Sequence, residues 1–430
     1  MTPSGVVKMK VFKFGGASLE TIQRIQNVAG ILEDFAGDPL VVVVSAMGKT
    51  TNDLEKVVEH YYRRQRETAA QLLYSIQDRH LQIALKLLGN DEDPVFGQLR
   101  QLYHEMEWQL GEKPYQPYDY YYDQLVSRGE LFSSLIACAF FNRTGVPARW
   151  LDVREVISTD DTFRDGRILW DITQKQMNAR VKPLLDQHPL IITQGFIGAT
   201  ATGATTTLGR EGSDYTAAVF ANMLDATSLS IWKDVDGLKN ADPRLFDDTI
   251  NIDKVNYNEV IEMAYYGAQV IHPKTIKPLQ NKKIPLYVKC FLDKNLPGTL
   301  IHAGAETIKL PPVIVLKQRQ VLMTITTRDF SFITEENLSK LYTIFHDIRI
   351  KLNLMQNGAI SFSCCIDQDA GKIERLIKTL HRDFRITYNE GLELLTVRHY
   401  ENGIVEKLTH GKQVLLEQKS PLTIQRVLKG

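Results

Sequence analysis

The sequence has no excess of charge of either sign: Lys plus Arg number 51 and Asp plus Glu number 51 among 430 residues. A balanced chain lacks the broad basic field expected of a partner for nucleic acid or an anionic membrane surface, so any anion it binds must be held by local groups. Cysteine is scarce. Cys138, Cys290, Cys364 and Cys365 form no C-x-x-C pair and no His-rich metal spacing, which argues against a disulfide scaffold and against a zinc site. The adjacency of Cys364 and Cys365 suits buried thiols, and the pattern fits a reducing compartment. No run of 18 apolar residues is present to span a bilayer. The opening MTPSGVVKMK leads into a strand-like segment without the apolar stretch of a signal peptide. A cytoplasmic enzyme is the expectation.

At roughly 150 residues per domain, the length predicts two or three units. Hydrophobic residues make up 43% and charged residues 24%, an ordinary globular composition. Val7 to Phe14 reads as a strand ending at Gly15-Gly16, and Thr21 to Phe35 has helical spacing. Leu40 to Val44 reads as a strand buried on both faces. From Asn52 to about Glu112, apolar residues recur every three or four positions, interrupted at Asn90 to Pro94; this is a helical insertion with little obvious chemistry. Strands and helices then alternate: Val126 to Phe141 helical, Ala148 to Val153 extended, Met177 to Leu185 helical, Pro189 to Phe196 extended. A Gly/Thr-rich loop, Gly198 to Gly212, leads into a helix at Ser213 to Leu224. A strand at Ser228 to Val235, a helix at Val260 to Ala268 and a strand at Ile284 to Val288 complete the series. Such alternation predicts an α/β fold with a mostly parallel central sheet and helices on both faces.

At Ala303 to Pro312 the texture changes, with Gly304, Pro311 and Pro312 marking a linker. A catalytic domain over 1–303 and a second region over 304–430 are expected. The second region reads as βαββαβ over about 313–398, a ferredoxin-like α+β unit. A further short unit over about 391–430 shows two strand-like runs, Gln413 to Lys419 and Leu422 to Leu428, without a convincing helix.

Three stretches carry chemistry. In Lys13-Phe14-Gly15-Gly16, a lysine inside an apolar strand needs a partner, and the glycines and following helix N-terminus let the backbone approach an anion. A phosphate fits all of these; the plain alternative is a strand-to-helix turn with a snorkelling lysine. In the small-residue loop Gly198 to Gly212, Arg210 stands beside the helix start and can grip a carboxylate with two parallel hydrogen bonds. Ser213 or Asp214 would otherwise be a simple N-cap, but a linker has no need of Arg210. Trp232-Lys233-Asp234-Val235-Asp236-Gly237, with Asp242-Pro243-Arg244, follows a strand whose carboxyl end is where a doubly wound sheet holds a nucleotide; read alone it is a charged turn. Gly48-Lys49-Thr50 mimics the end of a P-loop, but Val43 stands where that motif requires glycine.

In order along the chain, these stretches resemble the aspartokinase family of the amino-acid kinase fold. The resemblance extends to Ser45-Ala46-Met47 with Thr51-Asn52, to Ser127-Arg128-Gly129-Glu130, to Thr205 through Tyr215, and to Tyr266 through Pro273. It covers about residues 7 to 302. It implies transfer of the ATP γ-phosphoryl to the side-chain carboxylate of aspartate, giving 4-phospho-aspartate on the route to lysine, threonine and methionine. Lys13 would meet the transferring group, oriented by Asp214. Glu130 would pair with the substrate ammonium and Arg210 with its α-carboxylate, while Ser45, Thr51, Gly212 and Ser213 donate hydrogen bonds. ATP contacts carry over to Lys13, Phe14, Gly15, Gly16, Lys233, Asp234, Lys239, Arg244, Gln269 and Val270. Magnesium would ride on ATP phosphates, with no protein metal site.

Two departures stand out: the family usually has threonine at Lys233 and lysine at Gln269. Lys233, Lys239 or Lys274 would have to replace that charge, and slower catalysis is expected without it. The C-terminal region resembles paired ACT domains, which implies a homodimer formed through them. There Phe332 or Ile333 falls near the effector-loop glycine and Lys351 at the effector-binding aspartate, so weak or absent inhibition by lysine is expected. Two competing readings remain: a sister kinase acting on glutamate, acetylglutamate or a nucleoside monophosphate, for which Glu130 discriminates, and an effector-sensing protein whose kinase half has decayed.

Overall fold

The run Leu40 to Val44 has no polar alternation and needs cover on both faces, and it is buried throughout within the larger sheet. The structure is a computed structural model that describes residues 9–268, 271–304, 309–329, 331–401 and 403–430. Within them the chain forms two compact units. The first holds 9–238, 253–257 and 271–304; the second holds 239–252, 258–268 and the described residues from 309 onward. The segments 239–252 and 258–268 thus join the second unit although they precede the Ala303 to Pro312 texture change. No helix among the described residues is long and apolar enough to cross a membrane.

In the first unit the strands are β1 (Lys10–Phe14), β2 (Leu40–Val44), β3 (Arg149–Leu151), β4 (Leu190–Gln194), the hairpin strands β5 (Ile197–Ala199) and β6 (Thr205–Thr207), and β7 (Ser228–Lys233). Past the short strands β8 (Leu238–Lys239) and β9 (Asn251–Ile252) come β10 (Lys254–Asn256), β11 (Leu286–Cys290) and β12 (Thr299–His302). An eight-stranded sheet runs in the order β10-β12-β11-β7-β1-β2-β4-β3. Its neighbours are parallel except β11 and β12. Phe14 pairs with Val44 and with Trp232, and Val44 with Gln194, so the carboxyl ends of β7, β1, β2 and β4 lie side by side. Ligands bind at such an edge in open α/β sheets.

The helices are α1 (Ile22–Glu33), α2 (Thr50–Tyr62), α3 (Arg66–Leu88), α4 (Pro94–Gly111), α5 (Tyr118–Val126), α6 (Arg128–Arg143), α7 (Trp170–Gln176), α8 (Lys182–Gln187), α9 (Gly212–Met223), α10 (Tyr257–Tyr266) and α11 (Pro273–Lys282). Three differences from the sequence expectation have physical causes. The helix expected over Val126 to Phe141 is α6 and starts at Arg128 instead, since Val126 closes α5 and Gly129 in the first turn of α6 approaches Ala46, Leu54 and Thr50 closely. The Gly/Thr-rich stretch folds as the β5–β6 hairpin, its β-branched threonines favouring extended backbone. Helix α11 was hidden by Pro278 inside it. It survives with Pro273 in its first turn, the His272 Nδ1 cap accepting from the Lys274 amide at 3.2 Å, and Asn222 donating to the Pro278 carbonyl at 2.8 Å.

The second unit carries a six-stranded antiparallel sheet in the order β14-β15-β13-β16-β18-β17, from β13 (Val313–Thr327), β14 (Leu352–Asn357), β15 (Ser361–Asp367), β16 (Phe384–Arg398), β17 (Gln413–Lys419) and β18 (Thr423–Lys429). With α12 (Glu335–Ile348) between β13 and β14, and α13 (Ala370–Leu380) between β15 and β16, it realises the expected βαββαβ order. Helix α14 (Ile404–Thr409) stands where no helix was expected. Six residues are too few to show a helical period, and packing of Val405 and Leu408 with Ile424 and Leu428 supports it instead.

Within the helical layer of the first unit, His80 is fully buried beside Tyr103 and Phe132. Its Nδ1–H donates to the Ile76 carbonyl at 2.7 Å, and Thr50 Oγ1 lies 3.5 Å from Nε2. Burial pushes its pKa down to about 4, so it is neutral in the fold while the unfolded chain takes up a proton near pH 6.5. Between these values the unfolded state binds more protons, so stability should fall as pH drops from 6.5 to 4. Denaturant unfolding at both pH values should show a loss of about 3 kcal/mol from this group. His80→Gln, which has no proton to gain, should be flatter over the same window.

Candidate active site

Lysine at the end of an apolar strand must be neutralised where it is buried, and here the partner comes from α9. Lys13 Nζ lies 2.6 Å from Asp214 Oδ1, with the two side chains 11% and 5% exposed. Burial pushes the Asp214 carboxyl up, but the charges of Lys13 and Lys233 and the Lys13 hydrogen bond outweigh it, and its pKa is lowered. Asp214 therefore stays ionised. Lys13 and Lys233 both stand at carboxyl ends, of the neighbouring strands β1 and β7.

Both lysines and Asp214 line a cavity of about 510 Å³ that also includes Ser45, Thr51, Glu130, Arg210, Gly212 and Ser213. Each element delivers its residue for a local reason. Ser45 follows β2, and its amide donates to the Phe14 carbonyl at 3.1 Å, tying the two strand ends together. Gly16 lets those turns meet: a Cβ there would stand 2.7 Å from the Ala46 carbonyl oxygen and 2.8 Å from that of Gly48. Gly195 does the same for α9, since a Cβ would come 2.5 Å from Ser213 Cβ. Glu211, in the left-handed region at φ 53°, precedes the helix, so neither Ser213 nor Asp214 serves as an N-cap; both lie in the first turn. First-turn amides have no intrahelical acceptor and suit an anion.

Glu130 is buried, with Oε2 accepting no hydrogen bond among the described residues. Burial pushes its pKa up to about 8, against the opposing pull of the Ala46 amide and the Lys13 charge. It is a carboxylate prepared for a cation.

Several of the expected nucleotide contacts are not among the residues of this cavity wall. Phe14 is core, stacked on Trp232 at 5.8 Å, so only its backbone faces the turn. Asp234 is exposed and, with Gly15 and Gly16, is not in the cavity wall. Lys239 and Arg244 belong to the second unit, while Gln269 and Val270 lie outside the described residues. Lys274 is committed to Asp165 at 2.8 Å and the Leu208 carbonyl at 2.9 Å.

The cavity wall also contains Tyr122, Arg164 and Thr207, which the sequence reading left unassigned. Arg164 follows no motif spacing and reaches the cavity through a turn at φ 68°. Its amide and that of Thr207 donate to Asp123 Oδ2 at 2.9 and 2.8 Å. Burial pushes Asp123 up to about 6 despite these bonds. The only sequence signal was a carboxylate amid the tyrosines of α5.

A phosphate-suited lysine turn and helix N-terminus at the edge of this parallel sheet define a phosphoryl-transfer fold, and the family model described as the amino acid kinase family matches residues 8–290. Aspartokinase 1, chloroplastic, of Arabidopsis thaliana is 33% identical over 370 residues, 83% of this chain and 63% of that protein. Lysine-sensitive aspartokinase 3 of Escherichia coli K12 is 31% identical over 431 residues, 98% of this chain and 93% of that protein. The solved structure of E. coli aspartokinase III in complex with lysine and aspartate aligns with a TM-score of 0.82 at 27% identity, covering 98% of this chain and 96% of that one. The chain belongs to the aspartokinases within the amino acid kinase family. It spans 63% of the length of the Arabidopsis relative.

The glycine contacts predict a contrast. Gly195→Ala should destabilise the protein by about 1–3 kcal/mol through overpacking against Ser213. Gly97→Ala, inside α4 with nothing within 4 Å of its Cβ, should be neutral or stabilising by up to about 1 kcal/mol. Denaturant melts of the two variants check this directly.

Proposed function

We propose that the protein is an ATP-dependent aspartate kinase that makes 4-phospho-L-aspartate. The observation that carries the reading is the buried Glu130 Oε2, without a hydrogen-bond partner among the described residues, in the same cavity as Lys13 and Arg210. An amino-acid ammonium fits it; an acylated amine or a nucleoside monophosphate gives it nothing to pair with. In this reading Arg210 grips the α-carboxylate, and Ser45, Thr51, Gly212 and Ser213 donate to substrate oxygens. The acceptor carboxylate, with a pKa of about 4, is already ionised at neutral pH. No general base is required, and the chain's contribution is to gather two anions and hold them in line.

Lys13, kept in place by Asp214, faces the transferring phosphoryl group, and Lys233 beside it adds a second positive charge. Gly15, Gly16, Asp234, Lys239, Arg244, Gln269 and Val270 are assigned to ATP by family resemblance. Mg2+ arriving on the ATP phosphates supplies charge neutralisation as the phosphoryl group moves. The pathway step towards lysine, threonine and methionine, a cytoplasmic location, a catalytic domain over 1–303 and a homodimer through an ACT-like region over 304–430 belong to the same reading.

A coupled ADP-release assay across aspartate, glutamate, acetylglutamate and a nucleoside monophosphate tests it. Turnover with aspartate at least tenfold above the others is expected; preference for another acceptor, or no turnover by folded protein, rejects it. The raised Glu130 pKa adds a pH signature. Near neutral pH the free enzyme holds a proton on Glu130 that must leave before the ion pair forms. KM for aspartate should therefore fall by up to about tenfold per pH unit as pH rises towards 8, then level off. Glu130→Gln should raise KM and abolish the slope.

Lysine should inhibit poorly. In the second unit burial lowers the Lys317 pKa against the pull of the Asp367 charge, and the Lys351 charge adds to the lowering; a cation at Lys351, where the resemblance puts the effector-binding aspartate, would repel the ammonium of a lysine ligand. Half-inhibition by lysine well below millimolar would refute the expectation.

A further inference from the structure

A second cavity, of about 460 Å³, lies in the helical insertion between α2, α4 and α5. Its wall is aromatic: Tyr61, Trp108, Tyr115 and Tyr121 all contribute. Tyr121 sits at the centre, its ring edge-to-face with Tyr61 at 5.2 Å and with Tyr115 at 6.4 Å. The Tyr121 hydroxyl accepts from the Tyr115 and Gln116 amides at 2.9 and 3.3 Å, which holds the 115–116 turn beside the cavity. Tyr61 is buried against Tyr121. Trp108 and Tyr115 are 68% and 83% exposed, an unusual amount of open aromatic surface around one concavity.

The charges in the wall are as informative as the rings. Glu105 is paired with Arg128 at 3.0 Å. Glu112, also in the wall, makes no ion pair among the described residues, and its charge helps burial to raise the Tyr61 pKa. One negative charge is thus uncompensated beside several aromatic faces. Faces of this kind attract cations through the ring quadrupole, more so when the cation is partly desolvated. A volume near 460 Å³ suits a small molecule.

We propose that this cavity is a binding site for a small organic monocation with an apolar body, a substituted ammonium. The site backs onto the active site through one helix. Tyr121 and Gln124 of α5 face the aromatic cavity, while Tyr122 of the same helix lines the other. The Gln124 side chain accepts from the Thr205 amide at 3.2 Å and donates to its carbonyl at 2.8 Å, so α5 is fastened to the strand that leads towards Arg210. A ligand against Tyr121 would press on the element that positions the candidate active-site hairpin.

Calorimetric titration of the full chain with choline, with its neutral isostere 3,3-dimethylbutan-1-ol and with pentylammonium tests the proposal without any turnover, so the outcome is independent of the kinase reading. Saturable binding of a cation is expected, at least tenfold tighter for choline than for the neutral isostere. It should weaken at least fivefold in Trp108→Leu and in Glu112→Gln. Both residues are exposed, and unchanged circular dichroism spectra would show that the variants remain folded. Absence of saturable binding by either cation, equal binding of the neutral isostere, or unchanged affinity in Trp108→Leu overturns it.

Discussion

Everything at the candidate active site is arranged around one buried ion pair, Lys13 with Asp214. Removing an ammonium and a carboxylate from water costs several kcal/mol for each, and their attraction offsets this only with short, fixed geometry. The pair is a poor choice for stability alone. It makes sense as a device for keeping a protonated amine aimed into a cavity that reactants will dehydrate. The rest of the site follows from holding β1 and α9 in register. Gly195 allows α9 to approach the end of β4, Gly16 allows the β1 turn to touch the loop after β2, and the Ser45 amide locks that loop to Phe14.

Charge balance organises the surrounding residues in the same way. Lys13, Lys233, Arg210 and Arg164 bring positive charge to one cavity, and Asp214, Glu130 and Glu211 bring negative charge. The carboxylates are treated differently: Asp214 is held ionised by its lysines, whereas Glu130 is pushed towards its neutral form by burial. Under the proposed function, the fixed charge would meet the phosphates and the adjustable charge the substrate ammonium.

Much of this was legible before any coordinates, and what was missed has definite causes. Lys13-Phe14-Gly15-Gly16 and Arg210 could be read because lysine in an apolar strand and arginine in a threonine-rich loop are both out of place without an anion. Asp214 as the partner of Lys13 came from the family resemblance; read from the residues alone it was an N-cap candidate. Arg164 and Tyr122 stayed hidden because their presence depends on tertiary placement: one sits on an irregular turn, the other on a helix whose tyrosines look like core. The β5–β6 hairpin and α11 were misjudged for a related reason. Glycine and proline argued against regular structure, but the β-branched threonines prevailed in the hairpin, and the first-turn proline, the His272 cap and the Asn222 hydrogen bond prevailed in α11. The stretch from Asn52 to Glu112, which offered no chemistry as a string of letters, gathers its aromatic cavity only when three helices converge.

The break at Ser127 has a consequence for how this chain can change. Helix α5 ends at Val126 and α6 begins at Arg128, with Gly129 wedged against Ala46 and Glu130 next in line. One residue inserted on the early turn of α6 would rotate everything after it by about 100° about the helix axis, swinging the carboxylate away from the cavity. Spacing there is frozen to the single residue, whereas the exposed Asn90–Asp91 turn between α3 and α4 has no such bookkeeping. Length variation among descendants of this sequence should therefore collect at that turn and leave the Ser127 junction untouched.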